Sequence, residues 1–312
     1  MPPRITVYEV GPRDGLQNEA TALATSEKLA LIQALSASGL PRIEATSFVS
    51  PRWIPQLADA AEVTAALPAR PGLSYVVLVP NTRGLERLQG ALAQAGPGHP
   101  PVAAAVFLSA SETHCRKNVN RGIDETLAEL ATVVPAALAA GLEVRGYVST
   151  VWGCPYEGRV DEGRAVEIAA RLLSLGCHQV SLGDTIGVGT PNQTRRIVAA
   201  ALQRARPEQL ALHLHDTRGT ALANVVVALE AGITTFDSAV GGLGGCPYAP
   251  GASGNLATED LVYLLHGMGL ETGVDWDRLV AAGALAQRLV ARRLPGKALQ
   301  AALAGQAAAA AT

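Results

Sequence analysis

Two histidines one residue apart, His213 and His215, lie in the run Ala211-Leu212-His213-Leu214-His215-Asp216. In an extended chain alternate residues share a face, so both imidazoles point one way and Leu212 and Leu214 the other. A lone strand histidine is more often a buried, hydrogen-bonded residue, but two on one face at a strand end can hold one divalent ion. Asp14, in Gly11-Pro12-Arg13-Asp14-Gly15, and Asn255, in Gly251-Ala252-Ser253-Gly254-Asn255, each read alone as a turn residue beside glycine. With the histidines they form a ligand set of one carboxylate, two imidazoles and one amide oxygen. Such a set leaves a six-coordinate ion room for two substrate oxygens. A shell that mixes oxygen and nitrogen suits magnesium or manganese, although imidazoles also suit zinc.

For these four residues to meet, the elements that carry them must open onto one rim. Short β-branched or apolar runs recur at 5–10, 42–46, 74–79, 102–109, 144–149, 179–184, 210–215 and 234–239. Between them lie segments of helical spacing, for example 27–38, 125–140 and 163–175, each followed by a glycine suited to a left-handed cap. Repeated strand and helix predict βαβ units, and eight of them close into a (β/α)8 TIM barrel. An open doubly wound sheet competes, yet no Gly-x-Gly-x-x-Gly follows the first strand and no linker divides the chain. The barrel is expected over 1–285, and 286–312 as a C-terminal helical extension with an alanine-rich tail, frayed from about residue 300. Barrel loops after the strands share one mouth, so Asp14, the two histidines and Asn255 would converge there.

Composition narrows the partners. The 312 residues are 48% hydrophobic and 17% charged, enough to bury a large core. With 25 basic and 27 acidic residues the net charge is -2, which argues against nucleic acid and acidic lipid and for a small molecule. No apolar stretch reaches the ~20 residues of a membrane span, and the amino terminus runs straight into a strand, so a cytoplasmic protein is expected. Cysteines 115, 154, 177 and 246 show no close pairing, which fits a reducing compartment rather than a disulfide scaffold or structural zinc site.

Three segments resemble hydroxymethylglutaryl-CoA lyases: Gly11 to Glu19 (GPRDGLQNE), Glu44 to Pro51 (EATSFVSP) and Ser181 to Gly187 (SLGDTIG). So do His213-Leu214-His215-Asp216-Thr217 and the run from Gly244 to Asp260, of which Cys246 to Asp260 is the most specific. The resemblance spans residue 7 to about 285. It implies a TIM barrel, a divalent metal, an acyl-CoA substrate, and cleavage of 3-hydroxy-3-methylglutaryl-CoA to acetyl-CoA and acetoacetate. It also implies a place in leucine degradation and a homodimer.

By that resemblance Arg13 faces the thioester oxygen, where charge grows as the C2–C3 bond breaks. Glu44 orients its neighbours, and Cys246, in a glycine-flanked loop that folds over the mouth, protonates the enolate. Cys154, in a matching Gly-Cys-Pro-Tyr, is the rival, and local sequence alone does not separate the two. The base for the hydroxyl proton is Asp14, His213 or Asp184, with Asp184 and His213 together preferred. Gln17, Ser47, Ser181 and Thr185 are expected to touch substrate with Arg13. Arg52, Arg116, Lys117 and Arg121 could meet the coenzyme A phosphates, a solvated loop being the equal alternative. Relatives of this kind often carry lysine where this chain has Ala20. Three alternatives remain: a lyase for another 3-substituted 3-hydroxyglutaryl-CoA, an acetyl-CoA-dependent condensing synthase, and a non-catalytic binding barrel.

Overall fold

A computed structural model describes residues 4–20, 22–245 and 254–310. Eight parallel strands close on themselves in sequence order: β1 Thr6–Glu9, β2 Arg42–Ser47, β3 Ser74–Leu78, β4 Val102–Ser109, β5 Val144–Ser149, β6 Gln179–Asp184, β7 Leu210–Leu214 and β8 Thr235–Ser238. All eight runs found in the sequence are strands. Closure comes from β1 pairing with β8 through Thr6↔Thr235 to Glu9↔Ser238.

The helical spacings are helices Thr25–Ser36, Ile123–Ala139 and Glu162–Leu175. The last of these ends where Gly176 adopts φ 112°, a left-handed conformation that costs a residue with a Cβ. Leu212 and Leu214, 1% exposed each, pack outward under the helices, so β7 turns its histidines inward as alternation requires.

The carboxyl end carries the expected helical extension, but the helix Lys297–Ala310 runs on through the alanine-rich stretch expected to be frayed. Alanine has the highest helix propensity, and the Asp260 carboxylate accepts the amides of Lys297 (3.1 Å) and Ala298 (2.6 Å), satisfying two orphan donors of the first turn. Leu299 anchors the helix in the core with no exposure. The helix before it, Trp276–Leu289, runs across the expected boundary at 285/286, so the extension is continuous with the barrel's outer layer.

Candidate metal centre and active site

The first loop is built for close approach. After β1 the chain makes a single wide turn, Gly11–Gly15, in which the Val10 carbonyl accepts the amides of Arg13, Asp14 and Gly15. This turn carries Arg13 and Asp14 over the mouth. His213 comes from the end of β7, and His215 pairs in an isolated bridge with Asn255, which fixes the segment after β8 beside it.

Ligand atoms of Asp14, His213 and His215 all lie within 4.8 Å of one another. His213 Nε2 is 3.8 Å from Asp14 Oδ2. Asn255 Nδ2 donates to Asp14 Oδ2 at 2.9 Å and to the Leu243 carbonyl at 3.0 Å, which leaves its buried Oδ1 without a partner. A buried acceptor left unpaired costs about 1–3 kcal/mol. A cation bound among these groups would satisfy it, so the residues fit a divalent metal.

Electrostatics agree. Burial pushes the Asp14 carboxyl up, but Arg13, His213 and His215 outweigh it and hold Asp14 well below the usual carboxylate range. Burial, aided by His213, takes His215 down to about 4, so its ring is neutral and able to coordinate at pH 7. For His213, burial is overcome by Asp237 and Asp14, which favour a positive charge at that spot.

Arg13 is itself held from two sides. Nε donates to Glu44 Oε1 at 2.7 Å and Nη1 to Asp14 Oδ1 at 2.6 Å. Glu44, fully buried, also accepts the Tyr147 hydroxyl, whose oxygen accepts from Arg145 Nη1 at 2.7 Å. Arg145 pairs with Asp237 at 2.6 Å between the rings of Tyr8 and Tyr147. Sequence reasoning missed Tyr147, Arg145 and Asp237. Their signal was there: Arg145 and Tyr147 alternate on β5, and Asp237 sits between two hydrophobic or hydroxylic neighbours on β8, where an inward strand face should be apolar.

The expected residues do not all assemble. Asp184 was paired with His213 as base, but it shares the outward parity of Val180 and Leu182. Its carboxylate accepts the amides of Val188 (3.0 Å) and Gly189 (2.8 Å), and burial pushes its pKa up. It shapes the loop after β6. Ser181 does point inward, yet its hydroxyl donates to Asp237 at 2.8 Å, in the barrel floor. Thr185 and Ser47 stand at strand ends, where Thr185 Oγ1 accepts the Thr150 amide and Ser47 Oγ the Val49 amide. Gln17 is half-buried on the first loop.

Cys246 lies outside the described residues. Just before it, Asn18 Nδ2 donates to the Gly245 carbonyl at 3.0 Å, joining that segment to the first loop. Cys154 is buried, 3.0 Å from Ser111 Oγ, with the amides of Tyr156 and Glu157 directed at its sulfur. Cys115 and Cys177 are buried too. Within the basic cluster Arg116 pairs with Glu112 and Arg121 with Glu129, each at 2.9 Å, and Lys117 lies 4.9 Å over Tyr156.

Known proteins bear on this arrangement. A family model described as HMGL-like matches residues 4–286. The mitochondrial hydroxymethylglutaryl-CoA lyase of Bos taurus is 50% identical over 300 residues, covering 96% of this chain and 90% of the relative. The crystal structure of hydroxymethylglutaryl-CoA lyase from Pseudomonas aeruginosa superposes with a TM-score of 0.92 at 45% identity, covering 98% and 99% of the two chains. An HMG-CoA lyase from Acinetobacter baumannii, solved in complex with coenzyme A and 3-methylmalate, gives 0.89 at 40% identity over 96% and 95%. Among the described residues no helix is long and apolar enough to cross a membrane.

Proposed function

The chain belongs to the HMGL-like family and is a carbon–carbon lyase that cleaves 3-hydroxy-3-methylglutaryl-CoA, and we propose that it does so at the Asp14, His213, His215 and Asn255 centre, releasing acetyl-CoA and acetoacetate. One observation carries this siting: three ligand atoms, from the turn after β1 and from the end of β7 and the residue just past it, gathered within 4.8 Å beside an orphaned amide oxygen. Magnesium is the proposed ion, with manganese able to replace it, because the set combines carboxylate and amide oxygen with imidazole. When bound, the ion supplies Lewis acidity at the C3 hydroxyl.

The chain's own groups do the rest. Arg13, with Nε and Nη1 tied to Glu44 and Asp14, keeps Nη2 for the thioester oxygen, where negative charge develops. Glu44 holds that guanidinium in its plane. The hydroxyl proton goes to Asp14, which His213 faces across 3.8 Å and helps to hold in place, and Asp184 acts by shaping its loop. Cys246 protonates the acetyl-CoA enolate; a thiol near pKa 8.5 is still protonated at neutral pH yet releases its proton readily. Gln17, Ser47 and Thr185 contact the polar groups of the acyl chain, while Ser181 acts from beneath.

The chain works as a homodimer in the cytoplasm, in leucine degradation, on an acyl-CoA partner. The three alternatives are set aside, because a relative that is half identical over 96% of the chain is a hydroxymethylglutaryl-CoA lyase. Purified protein with magnesium should release acetoacetate from hydroxymethylglutaryl-CoA and stop when the metal is chelated. No turnover at full metal occupancy would overturn the assignment. Light scattering reads the dimer.

A further inference from the structure

Beneath the proposed metal centre, charged and polar side chains form a closed circuit. From His213 it runs through Asp237, Arg145, Tyr147, Glu44, Arg13 and Asp14, and returns to His213. Each strand donor in it comes from the inward face: Glu44 from β2, Arg145 and Tyr147 from β5, His213 from β7 and Asp237 from β8. Asp237 is the group in this circuit that reaches His213 from below. Its Oδ2 lies 3.4 Å from His213 Nδ1, accepts the Ser181 hydroxyl at 2.8 Å and faces Arg145 Nη1 at 3.2 Å, while Oδ1 takes Arg145 Nη2 at 2.6 Å.

We propose that Asp237 is a positioning residue for the metal centre: it keeps the His213 hydrogen on Nδ1, so that the Nε2 lone pair faces Asp14. This rests on the centre holding a divalent cation. A carboxylate only accepts, so Nδ1 must carry hydrogen to approach it favourably, and the neutral ring then has its lone pair on Nε2. Nε2 is the nitrogen on the Asp14 side. Arg145 and Ser181 in turn prevent the carboxylate from rotating away, and register places the two partners directly opposite, His213↔Asp237. Neither Nδ1 makes a well-aligned hydrogen bond, but that of His213 stands 3.4 Å from Asp237 Oδ2 whereas that of His215 faces no carboxylate, so the orienting device acts on one of the two ligands alone.

Asp237→Asn tests it. Arg145 Nη2 requires an acceptor, so it draws the amide oxygen and leaves the NH2 toward Ser181 and His213 Nδ1. That donor selects the other tautomer, with hydrogen on the nitrogen meant for the cation. Partners of metal-bound histidines typically contribute about 10- to 100-fold in affinity. The expected result is a rise of that size in the Mn2+ dissociation constant, read from free Mn2+ by electron paramagnetic resonance, in protein whose circular dichroism matches the parent. A residue that merely balanced Arg145 would lower thermal stability and leave Mn2+ affinity unchanged, and that outcome overturns the proposal.

A second measurement needs no variant. In metal-free parent protein at a pH where the His213 ring is neutral, 15N-detected histidine correlations should show hydrogen on Nδ1. Hydrogen on Nε2 would overturn the proposal equally. Neither readout uses substrate, so a wrong acyl-CoA assignment would show separately, as Mn2+ binding without acetoacetate release.

Discussion

Replacing Glu259 by glutamine should remove a large part of the loss of stability that the protein undergoes as pH rises from about 5 to 8. Glu259 is fully buried at the start of the helix Thr258–Gly267; Oε2 accepts the Gly241 amide at 2.7 Å and Oε1 has no partner. Burial, with Glu9 and Asp260 adding repulsion, pushes its carboxyl from 4.5 up to about 8. Between those values the folded protein holds a proton that the unfolded chain has released. The stability from this group is therefore complete below pH 4.5 and is lost as pH rises through 8. At 1.36 kcal/mol per pKa unit the shift corresponds to about 4–5 kcal/mol. Glutamine mimics the protonated acid and cannot ionise, so the difference in unfolding free energy, variant minus parent, should climb by roughly 1.4 kcal/mol per pH unit from 5 to 8 and then level off. Urea denaturation followed by tryptophan fluorescence measures it. Difference infrared spectroscopy should also show a protonated-carboxyl band at pH 6 that Glu259→Gln diminishes. A flat difference across pH, with no such band, would refute the reasoning.

Arg13→Lys keeps a positive charge but cannot hold Glu44 and Asp14 while reaching a third oxygen, so kcat/KM should fall about 100- to 1000-fold; steady-state acetoacetate release checks this. Gly187→Ala would set a Cβ 2.8 Å from the His215 carbonyl at φ 61°, displacing that ligand, and titration calorimetry should show weaker Mn2+ binding. Leu299→Ala, at a fully buried position of the last helix, should cost about 2–5 kcal/mol in denaturation. A truly frayed tail would leave stability unchanged.

The barrel was legible because each strand and helix repeats a short period, which needs only local sequence to detect. The His213 and His215 pair was legible for the same reason, since a period of two fixes their common face. What escaped depended on partners far apart in the chain. Asp184, one of the candidate bases, is the local exception: strand parity turns it outward to the amides of Val188 and Gly189, four and five residues on. The same parity rule, applied to Arg145 and Tyr147, would have put both inside the barrel. A buried guanidinium there is tolerable only with Asp237, 92 residues away, and the faces of Tyr8 and Tyr147, of which local sequence reveals Tyr147 alone. The helical extension was legible, but its order past residue 300 was not, because propensity alone does not show that Asp260 caps the helix or that Leu299 finds the core.

The charge balance of the floor explains why the fourth proposed ligand is an amide. Arg13 and Arg145 bring two formal positive charges, and Asp14, Glu44 and Asp237 three negative ones, so 2 − 3 leaves −1 among largely buried groups. A dication raises that to +1, which attracts an anionic acyl chain and stabilises oxygens that gain charge in the reaction. A carboxylate at 255 would cancel the +1 and would also stand against Asp14 Oδ2, where the Asn255 NH2 now donates at 2.9 Å. Asparagine would supply an oxygen to such an ion while giving a hydrogen to Asp14. That double use requires the side chain to be fixed, which the Leu243 carbonyl and the bridge to His215 accomplish.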